Sequence, residues 1–275
     1  MSASPAARSA ASAERSRPLD GLARMGSRIA TMSLAELRKI RHDRTELYMR
    51  AIQPALWLLI FGETFTRIHA IPTPPGLPYL DYLAPGIMAQ SALFVSIFYG
   101  IQIIWERDFG ILTKLLATPT PRVALVTGKA FAAGVRATGQ VLVVFALGAI
   151  LGVSFDWNPL HLLGAIAVVA VGSAFFSALS MTIAGLVLTR ERLMGIGQAI
   201  TMPLFFASNA LYPASVMPAA IRWLSVVNPL SYEVGALRTL LLGTPGSLLV
   251  DIAALVGAAA LGVGAASALL GRLAR

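Results

Sequence analysis

The side chains that could do chemistry are few and scattered. Three histidines, His42, His69 and His161, do not fall at metal-ligand spacing, and cysteine is absent. Disulfides, Cys-ligated zinc and a cysteine nucleophile are thereby removed. A Gly-x-x-x-x-Gly-Lys-Ser/Thr phosphate loop is missing too, because Gly128-Lys129 lacks both the upstream glycine and the following hydroxyl residue. No catalytic, cofactor-binding or metal-binding residue is assigned, and the chain reads as non-catalytic. Glu63, Arg136 and Asp251 stand inside apolar stretches and are functional candidates, since charge in hydrocarbon is costly. Each lies near an end of its stretch, within reach of an interface, which argues against a proton relay at the midplane.

The elements that must position these residues are overwhelmingly apolar. Of 275 residues, 56% are hydrophobic and 13% charged, against about 25% charged in soluble domains. A bilayer is the solvent that accepts such a chain. Six apolar segments follow one another: 50–68, 82–105, 126–152, 161–188, one starting near Leu193, and 248–270. A span needs about 20 apolar residues. The second, fourth, fifth and sixth segments meet this clearly, whereas the first is short and carries Glu63. The runs are long and do not alternate, unlike barrel strands. The expected fold is an all-α polytopic membrane protein with six transmembrane helices, occupying residues 49–275.

The formal charge of +9 could point to nucleic acid, but the placement of the charges points elsewhere. Ten of the 22 Lys and Arg residues precede the first apolar run, and most others flank apolar runs. With the N-terminus in the cytosol, eighteen fall on the cytosolic side and three, Arg67, Arg222 and Arg238, on the outer side. That bias obeys the positive-inside rule, and six spans return the C-terminus to the cytosol. No nucleic-acid partner is expected, and no cleavable leader, since a long basic stretch precedes the first apolar one.

Residues 1–27 read as a disordered basic cytosolic tail. Residues 28–48 read as a helix whose Met32, Leu37, Ile40 and Leu47 share one arc, lying in the interface or standing solvated. Four prolines between Pro72 and Pro78 make a stiff outer connector. Between the second and third spans, Trp105-Glu106-Arg107-Asp108 leads into Leu112, Leu115 and Leu116 at helical spacing, stopped by Pro119 and Pro121. A half-apolar helix there suits either docking into a partner's groove or packing on its own bundle. Residues 216–243 are apolar but broken by prolines, and read as two short helices re-entering the outer leaflet and joined at Asn228-Pro229.

With these segments in view, the chain resembles the membrane (permease) subunit of type-2 ABC exporters, the family of daunorubicin-type drug and lipo-oligosaccharide or polysaccharide exporter permeases. The matching residues are Pro54 and Trp57, Ala84-Pro85-Gly86, Glu106-Arg107-Asp108-Phe109-Gly110 with Leu115-Leu116-Ala117-Thr118-Pro119, Gly128-Lys129, and Pro218 with Asn228-Pro229-Leu230-Ser231-Tyr232 and Arg238. They extend over roughly residues 30–245. The resemblance implies that 28–48 is the elbow helix, 106–119 the coupling helix and 216–243 the outer re-entrant segment. Glu106, Arg107, Asp108, Phe109, Gly110, Leu115, Leu116 and Pro119 would couple to the ATPase. It implies two copies of a soluble ABC ATPase subunit, which binds ATP and Mg, and no cofactor in this chain. It further implies a second copy of the chain itself, surrounding membrane lipid, and a place in the bacterial inner membrane. Phe94, Phe98 and Gln102 at i, i+4 and i+8, with Phe205, Phe206 and Asn209, would line the path of an amphipathic drug, lipid or glycolipid, though the same aromatics fit plain bundle packing. A secondary carrier or a non-transporting scaffold remains the alternative class.

Overall fold

A computed structural model describes residues 52–68, 71–118 and 120–273, together with positions 26, 27, 30, 31 and 34. Every regular element among the described residues is helical. Positions 30, 31 and 34 of the predicted elbow are helical, and the rest of that segment lies outside the described residues, as do the tail to residue 25 and Pro119.

Nine helices can be followed within the described residues. Helix α1, residues 52–68, contains a π-helical stretch at Trp57–Gly62 and ends as α-helix at Glu63–Ile68. The others are α2 (Tyr79–Asp108), α3 (Ile111–Leu116), α4 (Arg122–Ile150), α5 (Pro159–Val187), α6 (Arg190–Phe206), α7 (Ala219–Val227), α8 (Pro229–Leu242) and α9 (Leu248–Leu273). Two helices start by the same device. Asn158 and Asn228 each accept the backbone N–H two residues on at 3.0 Å, and each is followed by proline at the first helical position. The cap satisfies an orphan donor, and proline gives up only an N–H that had no partner there.

Four helices, α2, α4, α5 and α9, are long and apolar enough to cross a membrane. With 30 residues, α2 extends about 45 Å at 1.5 Å per residue, well beyond a hydrocarbon core of about 30 Å. The excess carries its charged end clear of the apolar region. The fifth apolar segment folds as a shorter helix than its sequence promised. Helix α6 has 17 residues, begins with Arg190-Glu191-Arg192 and ends at Phe206, three residues past Pro203. The third segment folds as a helix that starts four residues before its apolar run, at Arg122, and ends at Ile150.

Helix α5 stands at the centre, packed on α2, α4, α8 and α9. Its contact with α2 is backbone on backbone. A Cβ on Gly100 would fall 2.5 Å from the Ser180 carbonyl oxygen, so only glycine fits. In that space the Ser180 hydroxyl accepts the Gly100 N–H at 3.1 Å and donates to the Ile97 carbonyl. In lipid, helices hold together through such small-residue approaches and inter-helix hydrogen bonds. Leu249, Leu261, Leu160 and Leu163 point outward and are exposed, as lipid-facing side chains are. Between α4 and α5 the loop is fixed by Asp156, whose N–H donates to Leu241 O at 2.7 Å. The Asn158 amide and then His161 hold its carboxyl below the usual range.

Replacing Gly100 with valine should therefore separate α2 from α5, at a cost of about 1–3 kcal/mol or more. A melting curve of the purified protein in detergent checks this. An unchanged midpoint for Gly100→Val would show that the contact is not tight.

Candidate functional site

One end of the bundle collects the basic residues Arg107, Lys114, Arg122, Lys129, Arg190 and Arg272, and most of the predicted coupling residues lie there. They divide into an inward and an outward set. Glu106 ends inside, 6% exposed, with Lys129 Nζ 2.7 Å from its carboxylate and Gln102 reaching the same group at 3.4 Å. This ties α2 to α4. Arg107 donates to Asp108 at 2.7 Å and to the Leu188 carbonyl, also at 2.7 Å, while Arg190 grips the other Asp108 oxygen at 2.6 Å and stacks 4.8 Å over Trp105. The Leu188 backbone is left-handed, φ 60°, a costly conformation for a side-chain-bearing residue. The two-residue connector between α5 and α6 is thus held by the charged end of α2.

Helix α2 stops at Phe109, where Gly110 at φ 70° turns the chain into α3. The 106–119 segment is therefore not one helix: its first three residues belong to α2 and only Ile111–Leu116 form the separate turn. Leu112 is buried among Ile103, Ile104, Leu125, Met181, Leu193 and Leu270, with Leu115 and Leu116 packed against them. Phe109, Ile111, Thr113 and Lys114 face outward, Phe109 being 68% exposed.

Of the six predicted path residues, the structure brings two together. Phe94 and Phe98 line a cavity of about 630 Å³ with Gln53, Gln90, Gln140 and Gln198. Gln102 turns toward Glu106 instead. Phe205 is buried edge-on against Trp57, 5.5 Å between centroids, with Phe206 beside it. Asn209 uses its carbonyl to accept the Tyr82 hydroxyl at 3.1 Å. Phe205 and Phe206 end α6 and Asn209 lies just beyond it, and none of the three lines the cavity.

The far end also holds two buried charges within the broken apolar segment 216–243. Arg238, counted above with the outer-side charges, is 6% exposed. Its guanidinium donates to Tyr82 O at 3.0 Å and Ala210 O at 3.1 Å and lies 3.5 Å over the Tyr82 ring. It is buried because α8 folds back into the bundle, where carbonyls rather than water must satisfy it. Glu233, one helical turn earlier, is fully buried against Gly172, and neither carboxylate oxygen has a partner among the described residues. The rule that singled out Glu63, a charge within an apolar run, applied to 229–242 would have found both. Glu63, Arg136 and Asp251 themselves are partly exposed: Glu63 lies 3.7 Å from Arg67, Arg136 stands 5.5 Å over Tyr99, and Asp251 is in the first turn of α9.

Long apolar helices around a central helix, with charge sorted to one end, define a multi-pass membrane protein. The ABC-2 type transporter family profile matches residues 27–242, and the chain belongs to that family of transporter permeases. It is 30% identical over 198 residues to the transport permease ycf38 of Cyanophora paradoxa, covering 69% of this chain and 65% of that one, so just under two thirds of the relative is spanned. The daunorubicin resistance ABC transporter permease protein DrrB1 of Streptomyces coeruleorubidus is 24% identical over 206 residues, 75% of this chain and 72% of its own. Nodulation protein J of Rhizobium meliloti is 26% identical over 172 residues, 62% of this chain and 64% of its own.

Breaking the buried Glu106–Lys129 pair should be severe and removing it whole should be mild. Lys129→Ala should cost about 3–5 kcal/mol, whereas Glu106→Gln with Lys129→Met should cost little. Thermal melts of both variants decide, and equal losses would refute the pairing. At the far end, Glu233→Met should raise the melting midpoint, because it replaces a buried polar group without partners by an apolar one of similar size. A fall of several degrees would show that Glu233 has a partner in the folded protein.

Proposed function

We propose that this chain is the transmembrane subunit of an ATP-driven exporter that carries an amphipathic drug-like, lipid or glycolipid substrate out of the cytosol. A separate soluble ABC subunit hydrolyses the ATP. The observation that carries this reading is the membership of the ABC-2 family together with α3, a short helix rooted by Leu112 in the bundle and presenting Phe109, Ile111 and Lys114 outward. That is the form of a docking knob: apolar contacts and one cation on a rigid base. The names of the relatives, a daunorubicin resistance ABC transporter permease among them, support transport as the activity.

In this reading the basic end faces the cytosol with both termini, and the membrane is the bacterial inner membrane. Helices α1 and α6 complete six spans. A second copy of the chain packs against the apolar side chains that α1 and α6 leave exposed, Ile52, Leu56, Ile60, Met194 and Ile196 among them. Nucleotide closure of two ATPase subunits displaces α3. The displacement reaches α6 through the Asp108–Arg190 pair and the Arg107 grip on Leu188, and α6 contributes Gln198 and Met202 to the cavity wall.

Affinity purification of the tagged chain from its native membrane in mild detergent should recover a P-loop ATPase in stoichiometric amount. Phe109→Asp combined with Ile111→Asp should abolish that recovery while leaving the folding stability within about 1 kcal/mol of wild type, since both side chains are exposed. Undiminished recovery by the double variant would remove α3 from the docking surface, and a wild-type preparation free of any ATPase would remove the exporter reading.

A further inference from the structure

We infer that the cavity between α1, α2, α4 and α6 selects cargo by an uncharged head group rich in hydroxyls or amides, read by the carboxamides of Gln53, Gln90, Gln140 and Gln198. The inference rests on the exporter reading and names the substrate class that reading leaves open.

Four glutamines on four different helices converge on this one space, joined by the Ser91 hydroxyl. Gln90 and Gln140 are 3% and 1% exposed, so they are built into the wall, while Gln53 and Gln198 are exposed beside the opening. Their depth is what makes them informative. Gln90 stands eleven residues beyond Tyr79, about 17 Å along α2, and Gln140 ten residues short of Ile150, about 15 Å along α4. Both lie well inside a core of about 30 Å. Polar side chains at that depth are costly and mark substrate pathways when they face a cavity.

The character of the wall then defines the guest. A carboxamide offers two N–H donors and one acceptor oxygen. A hydroxyl also donates and accepts, as does an amide, so either matches both halves of a carboxamide. An ammonium finds only acceptors useful, and a sulfate or carboxylate only donors. Each charged guest leaves part of the wall unmatched, and no Asp, Glu, Lys, Arg or His lines the cavity among the described residues to neutralise it. The remaining wall, Phe94, Phe98, Val95 and Met202, is apolar. Behind Phe94 and Phe98 a recess of about 120 Å³, lined chiefly by Ile97, Ile101, Ile183, Leu193 and Met194, has room for the start of an alkyl chain. The volume of the main cavity falls in the range typical of small-molecule sites.

The test is binding without nucleotide or partner. The full chain in lipid nanodiscs is dialysed against radiolabelled octyl glucoside, and octylammonium and octyl sulfate compete, with empty nanodiscs subtracted. Saturable binding of the glucoside at least about tenfold tighter than of either ion is expected. Gln90→Leu and Gln140→Leu should each reduce that preference roughly three- to tenfold, the equivalent of one lost hydrogen bond. Gln198→Glu, at an exposed position on which folding does not depend, should shift the preference toward octylammonium. Equal or tighter binding of the charged probes by the wild type would overturn the inference, as would a preference unchanged in all three variants. Head-group selectivity without ATPase recovery would remove the exporter reading alone. ATPase recovery without selectivity would remove this inference alone.

Discussion

The bundle depends on how closely α2 and α5 approach one another. Lipid gives apolar helices no reason to prefer each other over acyl chains, so cohesion comes from close van der Waals contact and hydrogen bonds between helices. Gly100 and Ser180 supply both at one point, the hydroxyl bridging the two backbones. Ser180 also borders the apolar recess beside the cavity, so the contact that holds the bundle forms part of a cavity wall. Toward the basic end the same pair of helices carries the Leu112 cluster, and toward the other end α5 receives α8.

The two ends solve the problem of charge in opposite ways. At the basic end three of the cations are paired with carboxylates: Lys129 with Glu106, and Arg107 and Arg190 with Asp108. Most of these groups are partly hydrated, so their pairing fixes geometry more than it adds stability. At the far end Arg238 is dry and satisfied by carbonyls of α2 and of the segment after α6. Glu233, on the same helix, fills the space that Gly172 leaves open and has no hydrogen-bond partner among the described residues.

Much of this was legible in the sequence because lipid imposes a simple code. The long apolar runs announced α2, α4, α5 and α9, and Asn228-Pro229 announced the junction of α7 and α8 through the capping chemistry of asparagine before proline. Phe94 and Phe98, one turn apart, line one cavity, whereas Gln102, grouped with them by spacing, turns to Glu106. The glutamines were not legible as a group. They are spread over 145 positions from Gln53 to Gln198, and periodicity within one helix says nothing of which faces meet. The burial of Arg238 was hidden for a related reason. An arginine at the edge of a broken apolar segment looks like a surface residue until the chain is seen to fold back.

Arg238 has a further consequence. Its guanidinium is wired at once to Tyr82 on α2 and to Ala210, while Gly86 leaves no room between α2 and that same Ala210 carbonyl. Prising these pieces apart would strand a cation in hydrocarbon. Arg238 therefore locks α2, α8 and the segment after α6 together at the far end, as a capstone does.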